Sequence, residues 1–281
     1  MLRRWCIPLA TLGLAVGAAV AAPAAGAGAL AAAHPATTTT SHAVTVTHGG
    51  IRPGGVAVHV VSPSSPRTAR SGIRAQSTST NWSGYAADSG TYTSVSATWV
   101  EPKGSCSGRS DEYSSFWVGL DGYSSSTVEQ TGTDTDCDGS TPSYYGWYET
   151  YPNPSISFGD SISAGDTISA SVTYKGSSKF VYTLADKTKN WSVSTTQTES
   201  GASRSSAEVI IEAPCCTDSG GILPLADFGT VNFSNSQVDG SAIGNSDPDQ
   251  ITMIDNSGAD KDTVSSLTSG ENFSATWKRS N

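Results

Sequence analysis

The chain has 281 residues, 16 basic against 25 acidic side chains and a formal charge of −9. No acidic residue precedes Asp88 and no histidine follows His59, so beyond residue 77 ten basic side chains face 25 acidic ones. That balance argues against nucleic acid and anionic membrane as partners. The missing imidazole removes Ser-His-Asp, Cys-His and His-ligated metal chemistry there, leaving carboxylates, amides and hydroxyls.

Met1 to Trp5 contains Arg3 and Arg4, and an apolar run follows from Cys6 to about Val20. Small-residue exits stand at Ala19-Val20-Ala21 and Ala25-Gly26-Ala27. Residues 1–27 therefore read as a secretory signal peptide, too Ala/Gly-diluted and too short for a membrane anchor. Residues 28–77 are rich in Ala, Thr, Ser, Pro and Gly and carry Arg52, Arg67, Arg70 and Arg74. They read as a linker or propeptide with one possible strand over Gly55–Val61. A basic leader beside an acidic domain suits electrostatic pairing that weakens as carboxylates protonate. The favoured reading is an inhibitory propeptide removed between Arg74 and Ser79. The mature protein is expected to be secreted, extracellular and monomeric, with no membrane partner.

Residues 78–281 have the size of one large β domain. Strands are expected over Ser94–Val100, Ser115–Leu120, Tyr144–Tyr151, Thr167–Tyr174, Lys179–Leu184, Trp191–Thr196, Ala207–Ala213 and Phe273–Lys278. These segments alternate or are β-branched and aromatic, and Gly, Asn, Asp, Ser and Pro clusters separate them. Many short strands with almost no helical periodicity indicate an all-β antiparallel sandwich or barrel. Four cysteines remain there, an even number suited to an oxidising compartment. Of three pairings, Cys106–Cys137 is favoured because each cysteine sits in a loop flanking the same two strands. That leaves Cys215–Cys216 as an adjacent-residue bridge. The spacing gives no reason to expect zinc.

Strand alternation sorts side chains by face. Phe116, Val118 and Leu120 share one face of their strand; Trp117, Gly119 and Asp121 share the other. Tyr145, Trp147, Glu149 and Tyr151 line up together, as do Val128 and Gln130. Val209 and Ile211 oppose Glu208, Ile210 and Glu212. An aromatic face bearing isolated carboxylates is what a polymer-binding cleft needs.

Five motifs follow one another: Asn81-Trp82-Ser83-Gly84-Tyr85, Trp117-Val118-Gly119-Leu120-Asp121-Gly122, Gln130-Thr131-Gly132, Trp147-Tyr148-Glu149-x-Tyr151-Pro152 and Ala207-Glu208-Val209-Ile210-Ile211-Glu212. Together with Phe228-Gly229-x-Val231-x-Phe233, the ordered set resembles the glutamic peptidases, the eqolisin family. The resemblance implies a sandwich of two long antiparallel sheets, concanavalin A-like or jelly-roll in type. It also implies an acid-active, pepstatin-insensitive endopeptidase made as a preproprotein, with protein and peptide substrates and no cofactor. The family's catalytic glutamine and glutamate match Gln130 and Glu212; Glu208 does not match the catalytic position. Trp82, Trp117, Trp147 and Tyr151 are expected to grip substrate, and Asp121 and Glu149 to lie near the dyad. Val209 and Ala213-Pro214-Cys215-Cys216 depart from the family pattern, which bears on subsite preference.

The pair suits amide hydrolysis on its own chemistry. A Glu212 carboxylate can take a proton from water and return it to the leaving nitrogen. The Gln130 carbonyl can hold that water while its NH2 donates to the developing oxyanion. A base must be ionised, so an acid optimum requires that the Glu212 pKa not be strongly raised. A glycoside hydrolase or a carbohydrate-binding sandwich remains the alternative, although residues four apart on one strand, such as Glu208 and Glu212, lie about 13 Å apart. Asp134-Thr135-Asp136-Cys137-Asp138-Gly139 imitates the start of a calcium loop, but Tyr145 stands where the closing Glu belongs. The favoured reading of that run is a solvated acidic turn.

Overall fold

A computed structural model describes residues 76–215 and 221–281. The signal peptide, most of the expected propeptide with its possible Gly55–Val61 strand, and Cys216 lie outside the described residues. The chain order is β1 (Gln76–Ser79), β2 (Trp82–Ala87), β3 (Ser94–Val100), β4 (Glu112–Leu120), β5 (Val128–Asp138), β6 (Thr141–Tyr151), β7 (Ile156–Ser161) and β8 (Thr167–Tyr174). It continues with β9 (Lys179–Asp186), β10 (Trp191–Thr198), β11 (Ala207–Glu212), β12 (Thr230–Val238), β13 (Ser241–Ala242), β14 (Asp249–Met253), β15 (Asp262–Val264) and β16 (Phe273–Trp277). One short 3-10 turn, Ile243–Ser246, interrupts the strands.

Two sheets form. The first runs β1-β14-β2-β11-β4-β5-β6-β7, and the second runs β10-β9-β8-β3-β12-β16-β15 with β13 paired to β12. Every pairing is antiparallel except β1 with β14. The expected sandwich of two long sheets is therefore what the sequence builds. Strand β1 begins at Gln76, so it crosses the expected boundary between residues 77 and 78, and among the described residues its sheet partner is β14.

Alternation explains the packing. Phe116, Val118, Leu120, Val209 and Ile211 of the first sheet meet Trp99, Ile168, Val172, Phe180 and Leu184 of the second in one continuous core. Burying each such side chain contributes about 1.5–3 kcal/mol. A second apolar cluster, Trp82, Ala86, Trp117, Val128, Trp147, Ile210 and Ile251, lies on the opposite face of the first sheet. The sequence-derived division of faces in β4, β6 and β11 matches these two clusters.

The expected Cys106–Cys137 bridge is present, with Cα atoms 5.4 Å apart. It ties the loop after β3 to the end of β5. Cys215 is also disulfide-bonded. The acidic run from Asp134 is not a solvated turn: it is the second half of β5, and Asp134 is fully buried. Neighbouring strands on both sides of β5 claim its backbone, and tertiary pairing overrides the low strand propensity of Asp and Gly.

Candidate active site

Register places the candidate residues in three rows across the first sheet, on the face turned from the second. Trp82, Glu212, Ser115, Asp134 and Tyr145 form one row. Ile210, Trp117, Gly132 and Trp147 form the next, and Glu208, Gly119, Gln130 and Glu149 the third. Gln130 and Glu212 thus approach from opposite sides of a row whose centre is Gly132. A Cβ on Gly132 would sit 2.1 Å from the Phe116 carbonyl oxygen and 2.5 Å from the Trp117 Cβ. Gly119 is constrained less tightly, with a Cβ there 2.9 Å from the Trp117 ring and 3.2 Å from the Gln130 Cβ. The two glycines let β4 and β5 carry an indole and an amide side by side.

The polar groups are tethered. Gln130 Nε2 donates to Glu149 Oε2 at 2.7 Å. Trp117 Nε1 donates to Glu212 Oε2 at 2.9 Å, and Trp147 Nε1 donates to Asp134 Oδ1 at 2.7 Å. Tyr145 Oη donates towards Asp134 Oδ2 at 2.9 Å and Asp136 Oδ2 at 3.0 Å. Trp82 packs edge-on against Trp117, ring centroids 4.8 Å apart. Gln130 Oε1 and Glu212 Oε1 are among the buried acceptors of this face without a hydrogen-bond partner, as are both oxygens of Glu208.

Electrostatics links the same groups. Burial pushes the Glu212 carboxyl well above the usual range, and the neighbouring charges of Glu149 and Asp134 push it further. The Trp117 hydrogen bond and the Trp82 indole pull the other way. Desolvation of a carboxylate without a cation favours the neutral form. An acid optimum requires that this carboxyl not stay strongly raised, whereas its burial here raises it. Glu208 is raised too, chiefly by burial, but the charges acting on it are Asp121, Glu129 and Asp88 rather than Glu149. Of the two glutamates of β11, Glu212 is the one coupled to the Gln130–Glu149 pair.

The other expected site residues fall into different places. Asp121 sits at the end of β4 with φ of 69° and accepts from Arg204 N (2.6 Å), Ser205 N (2.8 Å), Ser205 Oγ (3.1 Å) and Ser125 Oγ (3.2 Å). The bonds from Arg204 and Ser205 hold the loop before β11 and that from Ser125 the loop before β5, which offsets the strain of a non-glycine residue at positive φ. Tyr151 lies opposite Val128, one row beyond Gln130. Trp82, Trp117 and Trp147 are all fully buried, and two of the three indole N–H groups are committed to carboxylates. Asp134 escaped sequence reasoning. Its signal was available: two-residue alternation from Gln130 through Gly132 puts it on the same face.

A family model described as the Peptidase A4 family matches residues 80–277. The chain belongs to that family. Aspergillopepsin-2 of Aspergillus niger is 33% identical over 156 residues, 52% of this chain and 53% of that protein, so the match spans about half of the relative. Scytalidopepsin B of Scytalidium lignicola is 34% identical over 186 residues, 62% of this chain and 69% of the relative. The Peptidase A4 sandwich is also evident in solved structures. Scytalido-glutamic peptidase with a transition state analog inhibitor superposes with a TM-score of 0.63 at 31% identity, covering 71% of this chain and 98% of that one. Aspergilloglutamic peptidase from Aspergillus niger gives 0.53 at 30% identity, over 59% and 99%.

Proposed function

We propose that this chain is the precursor of a secreted, acid-active endopeptidase that hydrolyses peptide bonds with a water activated by Glu212 and Gln130. The observation that carries this reading is the pair of unpartnered buried acceptors, Gln130 Oε1 and Glu212 Oε1, facing one another's row across Gly132. A water donating one hydrogen to each would be oriented for attack on a carbonyl carbon. Glu212 takes the water's proton as the C–O bond forms. The Gln130 Nε2 hydrogen not used by Glu149 donates to the oxyanion. Collapse of the intermediate breaks the C–N bond while Glu212 returns the proton to the departing nitrogen. Glu149 is a positioning residue, because its bond fixes which end of the Gln130 amide faces the water.

Gln130, Glu149 and Glu212 are completely buried, so this face must open before substrate can reach the dyad. Burial is also the first cause of the raised Glu212 pKa. Exposure of that face to water in the processed chain would bring that carboxyl down towards the acid range. The test uses casein at about pH 4, near the ordinary carboxylate pKa. The processed chain should digest it in the presence of pepstatin, and an uncleavable full-length chain should not. Equal activity of the two forms would remove the inhibitory role of the leader; pepstatin inhibition would remove the Glu/Gln mechanism.

A further inference from the structure

The face that carries the dyad has a fourth row. Tyr113, Asp136 and Ser143 pair across β4, β5 and β6, next to the row of Glu212, Ser115, Asp134 and Tyr145. A recess of about 320 Å³ opens there, lined by Asp111, Tyr113, Asp136, Asp138, Thr141 and Ser143, among others. That volume is at the lower end of small-molecule sites and suits one long side chain. Asp136 forms its floor at 5% exposure, while Asp111, Asp138, Thr141 and Ser143 are exposed around it.

Only half of the Asp136 carboxyl is used. Its Oδ2 accepts from Tyr145 Oη at 3.0 Å, and its Oδ1 is buried without a hydrogen-bond partner. No basic side chain lines the recess, and the described ion pairs, Lys189–Asp166 and Arg279–Asp255, lie elsewhere. Asp111 Oδ1 meets only Gly139 N, at 3.5 Å. The charges of Asp111, Asp136 and Asp138 all act on the Tyr113 hydroxyl, so one ring stands among three carboxylates. Among the described residues no three such groups converge as a metal ion requires. Spaced acceptors around an aromatic ring suit an organic cation on an apolar stem, which can lie against the ring while its hydrogens reach oxygens set apart.

We infer that this recess is a subsite for a lysine or arginine side chain of a peptide substrate, three or four residues from the scissile bond. Position follows from the strand: Asp136 is four residues along β5 from Gly132, about 13 Å, which three to four residues of an extended peptide also span. The cation pairs with Asp136 Oδ1 at the floor and with Asp111 and Asp138 at the rim, and its methylene stem lies along Tyr113. Tyr145 ties the subsite to the dyad's row, because its hydroxyl serves Asp134 and Asp136 together. Burial and the Asp134 charge hold the Asp136 carboxyl well above the usual range, and a bound cation acts in the opposite direction. The inference rests on the peptidase reading above and adds to it a preference for basic substrates.

The test compares peptides that carry lysine, norleucine or glutamate at the third or fourth position on either side of one scissile bond. The chain is expressed at full length, processed, and assayed for kcat/KM at about pH 5, above the ordinary carboxylate pKa. At one of these positions lysine should exceed norleucine about tenfold or more, with glutamate below both. Asp136→Asn should bring the lysine-to-norleucine ratio down to about threefold or less. Should that variant fail to fold, Asp111→Asn/Asp138→Asn, at the exposed rim, should lower the ratio about twofold or more. Cleavage at equal rates whatever the residue, or an unchanged ratio in the folded variants, would overturn the inference and leave the peptidase reading in place. Failure to cut any of the peptides would remove the peptidase reading and the subsite together.

Discussion

Glu149 connects the geometry of the site to its pH dependence. It holds the Gln130 amide by one oxygen, and its charge raises the pKa of Glu212. Glu149→Gln removes a like charge from beside the base, which lowers the Glu212 pKa. Because the base works when ionised, the acid limb of the kcat/KM profile of the processed enzyme should move to lower pH. The maximal rate should fall about tenfold or more as the Gln130 amide loses its fixed orientation. An acid limb at an unchanged pH would show that Glu149 does not act on Glu212. At this scale the sequence motifs led to Gln130 and Glu212, and strand alternation placed Trp117, Trp147 and Glu149 on one face. Asp121 carries a structural task besides its motif position: three of its four hydrogen bonds come from the loop at Arg204 and Ser205 and one from Ser125. No sequence rule distinguishes a carboxylate that fastens a loop from one that meets substrate.

Among the strands, β3 and β8 were legible to the residue because each alternates cleanly, Val95, Ala97 and Trp99 against Ile168, Ala170 and Val172. Strand β5 was not. Its sequence, VEQTGTDTDCD, is polar on both faces, yet ten of its eleven residues are buried. The apolar signal is replaced by hydrogen bonds: Thr133 Oγ1 and Thr135 Oγ1 donate to Glu101 at 2.6 and 3.0 Å on the core side, and Asp134 accepts from Trp147 and Tyr145 on the other. The end of this strand is fastened by Cys106–Cys137, which closes a loop of sequence separation 31. Loop-closure entropy for that length gives about 3.5 kcal/mol. The Cys106→Ser/Cys137→Ser variant should lose about that much in urea unfolding, with m rising as the unfolded chain expands. Unfolding indistinguishable from wild type would mean that β5 is held by its hydrogen bonds alone.

The whole molecule stores carboxyls that are neutral when folded. Burial raises Asp134 and Asp262 to about 7, Glu101 to about 8 and Glu129 to about 9, from ordinary values of 3.8 for Asp and 4.5 for Glu. A group raised on folding binds more protons in the native state, so its stabilisation is complete below the unfolded pKa and is lost as pH rises. The loss should begin near pH 4 and deepen through pH 7 to 9. Calorimetry is expected to give a Tm about 10 °C or more lower at pH 8 than at pH 4, and a flat or rising Tm would contradict this. Composition foretold an acidic, imidazole-free domain. That several of its acids would lie in the sandwich interior was not legible, because burial is decided by strand register.

The central claim is that Glu212, and not Glu208 four residues earlier on β11, is the base that works with Gln130. Three variants of the processed enzyme, Glu212→Gln, Gln130→Ala and Glu208→Gln, would be compared for casein hydrolysis at about pH 4, with circular dichroism confirming the fold. Glu212→Gln should abolish turnover, Gln130→Ala should lower it about a hundredfold or more, and Glu208→Gln should leave it within a few-fold of wild type. Activity surviving in folded Glu212→Gln while it is lost in Glu208→Gln would contradict the assignment.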